Sequence, residues 1–302
     1  MVPLAPVTVH SVLPYTLAFA AITAAAAQPQ PDVEQLMAHV GERVADFYNR
    51  AKNVICMETS RVQPVDLDSS PTGFARTVEA ELHLEENDQV PGEAVLVRTI
   101  RKVNGRAVRE HDKKNRAGCT DPNPLSPEPL AFVLPAHRSK YRFTIAGTAT
   151  DRNRPALMID FSSLDRRSDP QLMEDAAGHE DCFDWSGHIA SRGRIWVDAG
   201  TNDVIRVDQR LTGPVDVKVP TLIQRRHHLD SFVVLVRDDV TIRYRTLAFS
   251  DPEETLLLPE SIETVTVIRG GLQSTRRQHT FSDYRRFVAR GKVLAPASAA
   301  SP

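Results

Sequence analysis

Residues 193–211 read G-R-I-W-V-D-A-G-T-N-D-V-I-R-V-D-Q-R-L, and this stretch constrains the fold more than any other. Two runs, 194–198 and 204–211, alternate apolar with polar residues around a short segment holding Gly200, Asn202 and Asp203. Period-two alternation interrupted by Gly, Asn and Asp predicts a β-hairpin, because successive strand side chains point to opposite faces. In the second run Ile205, Val207 and Leu211 share one face, and Arg206, Asp208 and Arg210 share the other. A ribbon with one apolar and one charged face belongs to an antiparallel sheet that is wet on one side.

Further strands are predicted over 53–62, 74–85, 94–102, 141–150, 156–163, 232–236, 240–249, 260–268 and 274–287. Asn104-Gly105 marks a two-residue hairpin turn, 151–154 turns the 141–163 pair, and Gly270-Gly271 turns the last pair. Two helices accompany the sheet. Asp32 caps the first, which runs to about Ala51 and carries Val33, Leu36, Met37, Val40, Val44 and Phe47 on one stripe. Glu34 in its first turn and Arg50 and Lys52 at its end suit the helix dipole. The second is a short helix over 126–134 within a Pro-rich passage, with Ser126 as cap and Pro127 at its first position. Residues 164–192 read as a polar insertion with a short helix at 170–177, and 291–302 as a disordered tail. The fold class is mainly β with α (α+β).

A formal net charge of -2 argues against nucleic acid as a partner. The Arg-Arg pairs at 166–167, 225–226, 276–277 and 285–286 read as the wet face of strands. Residues 1–27 contain no Asp, Glu, Lys or Arg, and an apolar run over 12–27 ends in four alanines. That is the pattern of a signal peptide, although its leading region lacks Lys and Arg. The run is too short and too rich in Pro and Ala for a membrane span, so a periplasmic or secreted protein is expected, not an integral membrane protein. Of three cysteines, Cys119 and Cys182 lie in polar, loop-like sequence and are the natural disulfide pair. Cys56 sits in an apolar run and reads as a buried free thiol.

Several segments together carry a family likeness: the N-terminal helix, the 53–59 strand, Pro-Leu-Ala-Phe-Val-Leu-Pro at 129–135, Tyr141-Arg142-Phe143, Gly193-Arg194-Ile195-Trp196-Val197-Asp198, and Phe281-Ser282-Asp283-Tyr284-Arg285-Arg286-Phe287. In this the chain resembles exported bacterial proteins of the outer-membrane lipoprotein carrier type. That superfamily also includes periplasmic sensors that restrain envelope-stress signalling. The resemblance spans roughly residues 32–290 and implies a single strongly curved antiparallel half-barrel whose concave face is closed by the two helices.

Chemistry-bearing patterns are sparse. His179, Glu180, Asp181, Cys182, Asp184 and His188 form the densest polar cluster, but the spacing is neither H-E-x-x-H nor paired C-x-x-C. A disulfide-tied or solvated loop is the better reading. His227 and His228 are neighbours and face opposite ways on a strand. There is no G-x-S-x-G, and pairs such as Glu253-Glu254 occur in any polar loop. No catalytic residue, metal ligand or cofactor is assigned, and an enzyme is not expected. What remains is the concavity between sheet and helices, lined by Leu, Val, Phe and Trp. It can hold acyl chains, each buried methylene contributing about 0.8 kcal/mol, or it can be a packed core. Phe132, Trp196 and Phe249 are the residues expected to touch a ligand. The expected function is a non-enzymatic binding protein for a lipid or lipoprotein acyl chain. The alternative is an envelope interaction or sensor domain with a filled core.

Overall fold

The computed structural model describes residues 32–51, 54–86, 94–108, 125, 128–174, 183–250 and 253–286. Helix α1 (Val33–Ala51) forms where the apolar stripe predicts it. A carboxylate oxygen of Asp32 accepts the Glu34 backbone N–H at 3.0 Å, which satisfies one of the free donors of the first turn. Four strands follow as a meander, β1 (Val54–Pro64), β2 (Arg76–Glu86), β3 (Ala94–Val103) and β4 (Arg106–Ala107). Asn104 and Gly105 both take positive φ between β3 and β4, as a type I′ hairpin turn requires.

The Pro-rich passage gives a 3-10 helix, Glu128–Val133, and then α2 (Pro135–Arg138), with Pro135 starting the second. One helix over 126–134 was expected; Ser126 and Pro127, its expected start, lie outside the described residues. The second half supplies β5 (Tyr141–Asp151), β6 (Arg154–Ser163), β7 (Gln171–Glu174), β8 (Phe183–Ser186), β9 (Ser191–Asp198) and β10 (Val204–Leu211). Then come β11 (Val215–Lys218), α3 (Thr221–His227), β12 (Phe232–Ser250), β13 (Glu253–Arg269) and β14 (Thr275–Arg286).

The strands form one open sheet in the order β4-β3-β2-β1-β14-β13-β12-β10-β9-β6-β5, with β11, β7 and β8 added beside the lower part of β12. Every ladder is antiparallel except the single β7–β11 bridge, Lys218 to Gln171. Register breaks at Ile55/Met57, Glu79/Ala80, Ile145/Gly147, Val204/Arg206, Leu235/Arg237 and Arg243/Tyr244 bend and twist the strands. The result is a curved half-barrel covered on its concave side.

Two covers lie on that concave side. Leu36, Met37, Val40 and Val44 of α1, with Leu130, Phe132 and Val133 of the 3-10 helix, fill the space above Cys56, Leu82, Ile159, Ile195, Val207, Ile242 and Ile262. At Gly41 a Cβ would stand 2.8 Å from the Val133 carbonyl oxygen, so glycine permits the close approach of α1 to the 3-10 helix. Ion pairs from Arg43 to Asp203 and from Arg50 to Glu254 pin α1 across the sheet.

The second cover is made by β7, β8, β11 and α3. It buries Leu172, Val217, Val219 and Ile223 against Val233, Leu235 and Ile268. Here the structure corrects the sequence reading. The stretch expected as a helix at 170–177 is a strand over Gln171–Glu174 that pairs with β8, so the insertion belongs to the sheet. The two runs read separately at 232–236 and 240–249 are one strand, β12, and β13 begins earlier than the expected 260.

Candidate binding cleft on the concave face

The three residues singled out as ligand contacts lie apart. Phe132 is buried under the first cover, stacked on Phe161 with ring centroids 4.3 Å apart and in contact with Tyr141 and Phe143. Ile195 and Val197 point into the core, so Trp196 between them points outward, where the Arg206 guanidinium lies 4.3 Å above its ring. Phe249, near the end of β12, belongs to a separate small cluster with Val54, Leu256 and Leu258. Of the three, Phe132 lines a cavity inside the half-barrel.

That cavity, about 300 Å³, is bounded by the 3-10 helix (Pro129, Ala131, Phe132), by Tyr141, Val207, Val240, Ile242 and Thr264 of the sheet, and by Trp185 and Ile189. A second cavity of about 510 Å³ lies beneath the other cover, lined by Val62, Phe74, Arg76, Phe183, His227, Leu229, Thr266, Ile268, Leu272 and Arg277. Trp185 and Asp238 line both. The two cavities therefore share a wall at this pair, and together they make up the cleft between the two covers.

Strand register explains the floor. Arg76 pairs with Val62, Val62 with Arg277, Arg277 with Thr264, Thr264 with Val240, Val240 with Gln209, Gln209 with Gly193, and Gly193 with Phe161. Residues opposite one another across a ladder share a face, so this is one row crossing the sheet. It runs from two arginines to the aromatic cluster around Phe132. Beside it, Thr266 Oγ1 donates to Asp238 Oδ1 at 2.8 Å. Thr264 is 6% exposed, and its hydroxyl has no hydrogen-bond partner among the described residues.

Next to the cleft sits a buried polar cluster. Glu58 and His279 are both 0% exposed; His279 Nδ1 donates to Glu58 Oε1 at 2.7 Å, and Arg98 Nε donates to Glu58 Oε2 at 2.7 Å. Burial would raise the Glu58 carboxyl, but the His279 hydrogen bond and the Arg98 charge outweigh it and hold the pKa at about 2. His279 Nε2 has no partner among the described residues. Burial and the nearby Glu58 push the Cys56 thiol up to about 12, so this free cysteine is not a thiolate nucleophile.

Cys119, Cys182, and 175–182 of the acidic and histidine-rich stretch lie outside the described residues. His188 of that stretch hydrogen-bonds the Asp165 carbonyl, and His227 pairs with Glu174 at 2.8 Å. Among the described residues no three His, Cys, Asp or Glu side chains are grouped to hold a metal ion. No described helix is long and apolar enough to cross a membrane.

Sequence reasoning passed over Glu58, Arg76, Arg98, Arg277 and His279, yet a signal was there. Along β1 the inward positions are Val54, Cys56, Glu58 and Ser60, so an acid follows two apolar residues on the same face. The pair Arg276-Arg277 was read as wet surface. A strand splits such a pair, and Arg277 lines the cleft.

No family model matches the chain, and no curated protein does. Among solved structures the chain is similar to a LolA superfamily protein from Nitrosomonas europaea, at 9% identity and TM-score 0.35, covering 86% of this chain and 97% of that one. It is also similar to an outer membrane lipoprotein-sorting protein domain from Vibrio parahaemolyticus, at 10% identity and TM-score 0.32, covering 86% and 95%. A third is a DUF1329 family protein from Desulfovibrio piger, at 9% identity and TM-score 0.38, again covering 86% and 95%. The first two carry the name of the carrier superfamily that the sequence motifs resemble. With TM-scores from 0.32 to 0.38, none of them bears on the ligand or partner of this chain.

Proposed function

We propose that the protein is a non-enzymatic binding protein that works outside the cytoplasm, periplasmic or secreted, and holds a lipid or lipoprotein acyl chain in the cleft between its two covers. The observation that carries this reading is the pair of cavities, about 300 Å³ and 510 Å³, that lie side by side with Trp185 and Asp238 in the walls of both. Ligand sites are concave, largely apolar spaces of about 300–1,000 Å³ with a few polar groups that fix orientation. The cleft is lined by the apolar Phe132, Val240, Ile242, Leu229, Ile268 and Leu272 together with polar side chains, among them Thr264, Thr266, Asp184 and His227. Beneath the first half of α1 the side chains of Leu36, Met37 and Val40 pack into the core, so the ligand lies beside that core.

Native mass spectrometry of the purified protein tests this: a co-purifying lipid is the expected result. The chain has two tryptophans, Trp185 at the cleft and Trp196 on the outer face, so Trp196→Phe leaves one reporter. Titrating that variant with an acyl ligand shifts its emission if the ligand enters the cleft. An unchanged spectrum, together with a ligand-free mass, favours the second reading, an interaction or sensor domain. That reading draws on the filled core beneath the first half of α1 and on Phe74, which is 98% exposed at the cleft rim.

A further inference from the structure

The 3-10 helix lines two separate spaces. Pro129, Ala131 and Phe132 border the cleft, while Leu130 between them lines a cavity of about 280 Å³ beneath the second half of α1. No residue in the walls of this cavity belongs to either cavity of the cleft. Val44 and Phe47 of α1 cover it, and Val204, Tyr244 and Leu257 of β10, β12 and β13 line it from the sheet. Its rim is charged but neutralised from within. Arg43 pairs with Asp203, Arg50 with Asp46 and Glu254, and Arg154 with Asp198, so each of these guanidinium groups already has a carboxylate. The Thr201 hydroxyl donates to Asp203, and the Thr246 hydroxyl oxygen accepts from Arg154.

Tyr244 is the exception. It is 6% exposed, and its ring meets Phe47 edge-on with centroids 6.4 Å apart. Its hydroxyl has no hydrogen-bond partner among the described residues. The break in the β12–β13 ladder at Arg243/Tyr244 sets where this side chain points. Burial pushes the phenol above its ordinary pKa, so it stays a protonated donor. A buried hydroxyl without an acceptor is destabilising, and phenylalanine in its place would avoid the penalty.

We infer that this cavity is a second binding site, for a neutral and mainly apolar small molecule whose one carbonyl or ether oxygen accepts the Tyr244 hydroxyl. An apolar cavity of about 150 Å³ holds benzene, so one of this size suits a bulkier, cage-like or two-ring ligand. The paired charges of the rim leave no counter-ion for an acid or an amine. The site has its own walls and does not depend on the acyl-binding reading of the cleft.

Three probes of matched bulk test it by calorimetry on the purified full chain: adamantanone, methyleneadamantane (a methylene in place of the oxygen) and adamantanecarboxylate. Tyr244→Phe should weaken the ketone about three- to tenfold, the range of one neutral hydrogen bond, and leave the hydrocarbon unchanged. The carboxylate should bind more weakly than the ketone. Leu257→Trp, which fills the cavity from the sheet side, should weaken ketone and hydrocarbon alike by more than about tenfold. Should that variant not fold, the place of binding is read from Trp185 in the Trp196→Phe variant, whose emission should stay unchanged as the ketone saturates. A ketone that binds Tyr244→Phe as well as the unaltered chain overturns the hydroxyl's role, and a carboxylate that binds tighter than the ketone overturns the neutral class. A shift in Trp185 emission puts the ketone in the cleft and overturns the second site. If no probe binds, the second site falls, while the acyl-binding reading stands or falls on its own titration.

Discussion

Two stretches of the same concave face are built on opposite terms. Under α1 the inward residues of β1, β13 and β14 are apolar, with Cys56, Ile262 and Phe281 all in the core cluster of that helix. A few residues along the same strands they become Glu58 and Ser60, Thr264 and Thr266, His279 and Arg277. The change is stepped from strand to strand, since Phe281 stands opposite Glu58 and Ile262 opposite His279 in the ladders. Beneath the helix, burial is repaid by close packing. Beyond it, the same positions carry polar groups that need hydrogen bonds or water. A continuous apolar face would have left a hydrophobic surface open between the covers, whereas the switch in polarity leaves a cleft that can be both wet and selective.

The sharpest way to break this contrast is Glu58→Ala. It strands Arg98 and His279 in a buried site, and such one-sided removal typically costs about 3–5 kcal/mol. Urea unfolding should show the loss as a lower midpoint. Replacing all three with apolar residues of similar volume should be neutral or stabilising by up to about 4 kcal/mol. A mild Glu58→Ala would mean that the polar half does not depend on this cluster. The acid limb gives a second view of the same group. Its folded-state pKa, about 2, lies below the ordinary 4.5. The stability it contributes is therefore complete above 4.5 and disappears as pH falls from there toward 2. Glu58→Gln should remove that part of the acid sensitivity.

On the apolar side, Met37 is 1% exposed, and Met37→Ala should cost about 2–5 kcal/mol by leaving a cavity under α1. Thermal or urea unfolding measures it, and a cost under about 1 kcal/mol would mean that the helix packs loosely and that this space is open to ligand. The smallest effect belongs to the outer face, where Arg194 pairs with Asp160 in a water-exposed row. Asp160→Ala should change stability by no more than about 1 kcal/mol, and less in high salt.

Much of the architecture was legible because local rules governed it. The 193–211 hairpin, the capped stripe of α1 and the Asn104-Gly105 turn stand where the alternation, cap and turn residues put them. Legibility failed where tertiary context overrode the local pattern. Arg237, Asp238 and Asp239 looked like the end of a strand, but a register break near Arg237 carries β12 through them and turns Asp238 into the cleft. Pro259 hid the early part of β13. It sits at the second break in that ladder, where a proline is tolerated, and its carbonyl accepts the Tyr284 hydroxyl. The alternation of Val215, Val217 and Val219 was readable but too short to stand out, and Leu172 looked helical until β8 and β11 lay on either side of it. As for the site, Phe132 could be picked as an aromatic in an apolar run. Arg76 and Arg277, which are 201 positions apart, become neighbours of Val62 only through the β2–β1–β14 pairing.

That pairing has a consequence for how the chain is made. Glu58 and His279 are 221 residues apart, and β1 lies between β2 and β14 in the finished sheet. While the polypeptide is being synthesised, α1 and the β1–β4 meander emerge first, and one edge of β1 has to wait for β14, the last of the described strands. Until then the Glu58 carboxylate faces water and its neighbours lack half their ladder. Pairings so remote in sequence form slowly, since a long loop must close before any contact rewards it. Completion of the sheet is thus a late, all-or-nothing event, and a chain cut short before β14 would lack the strand that joins its two halves.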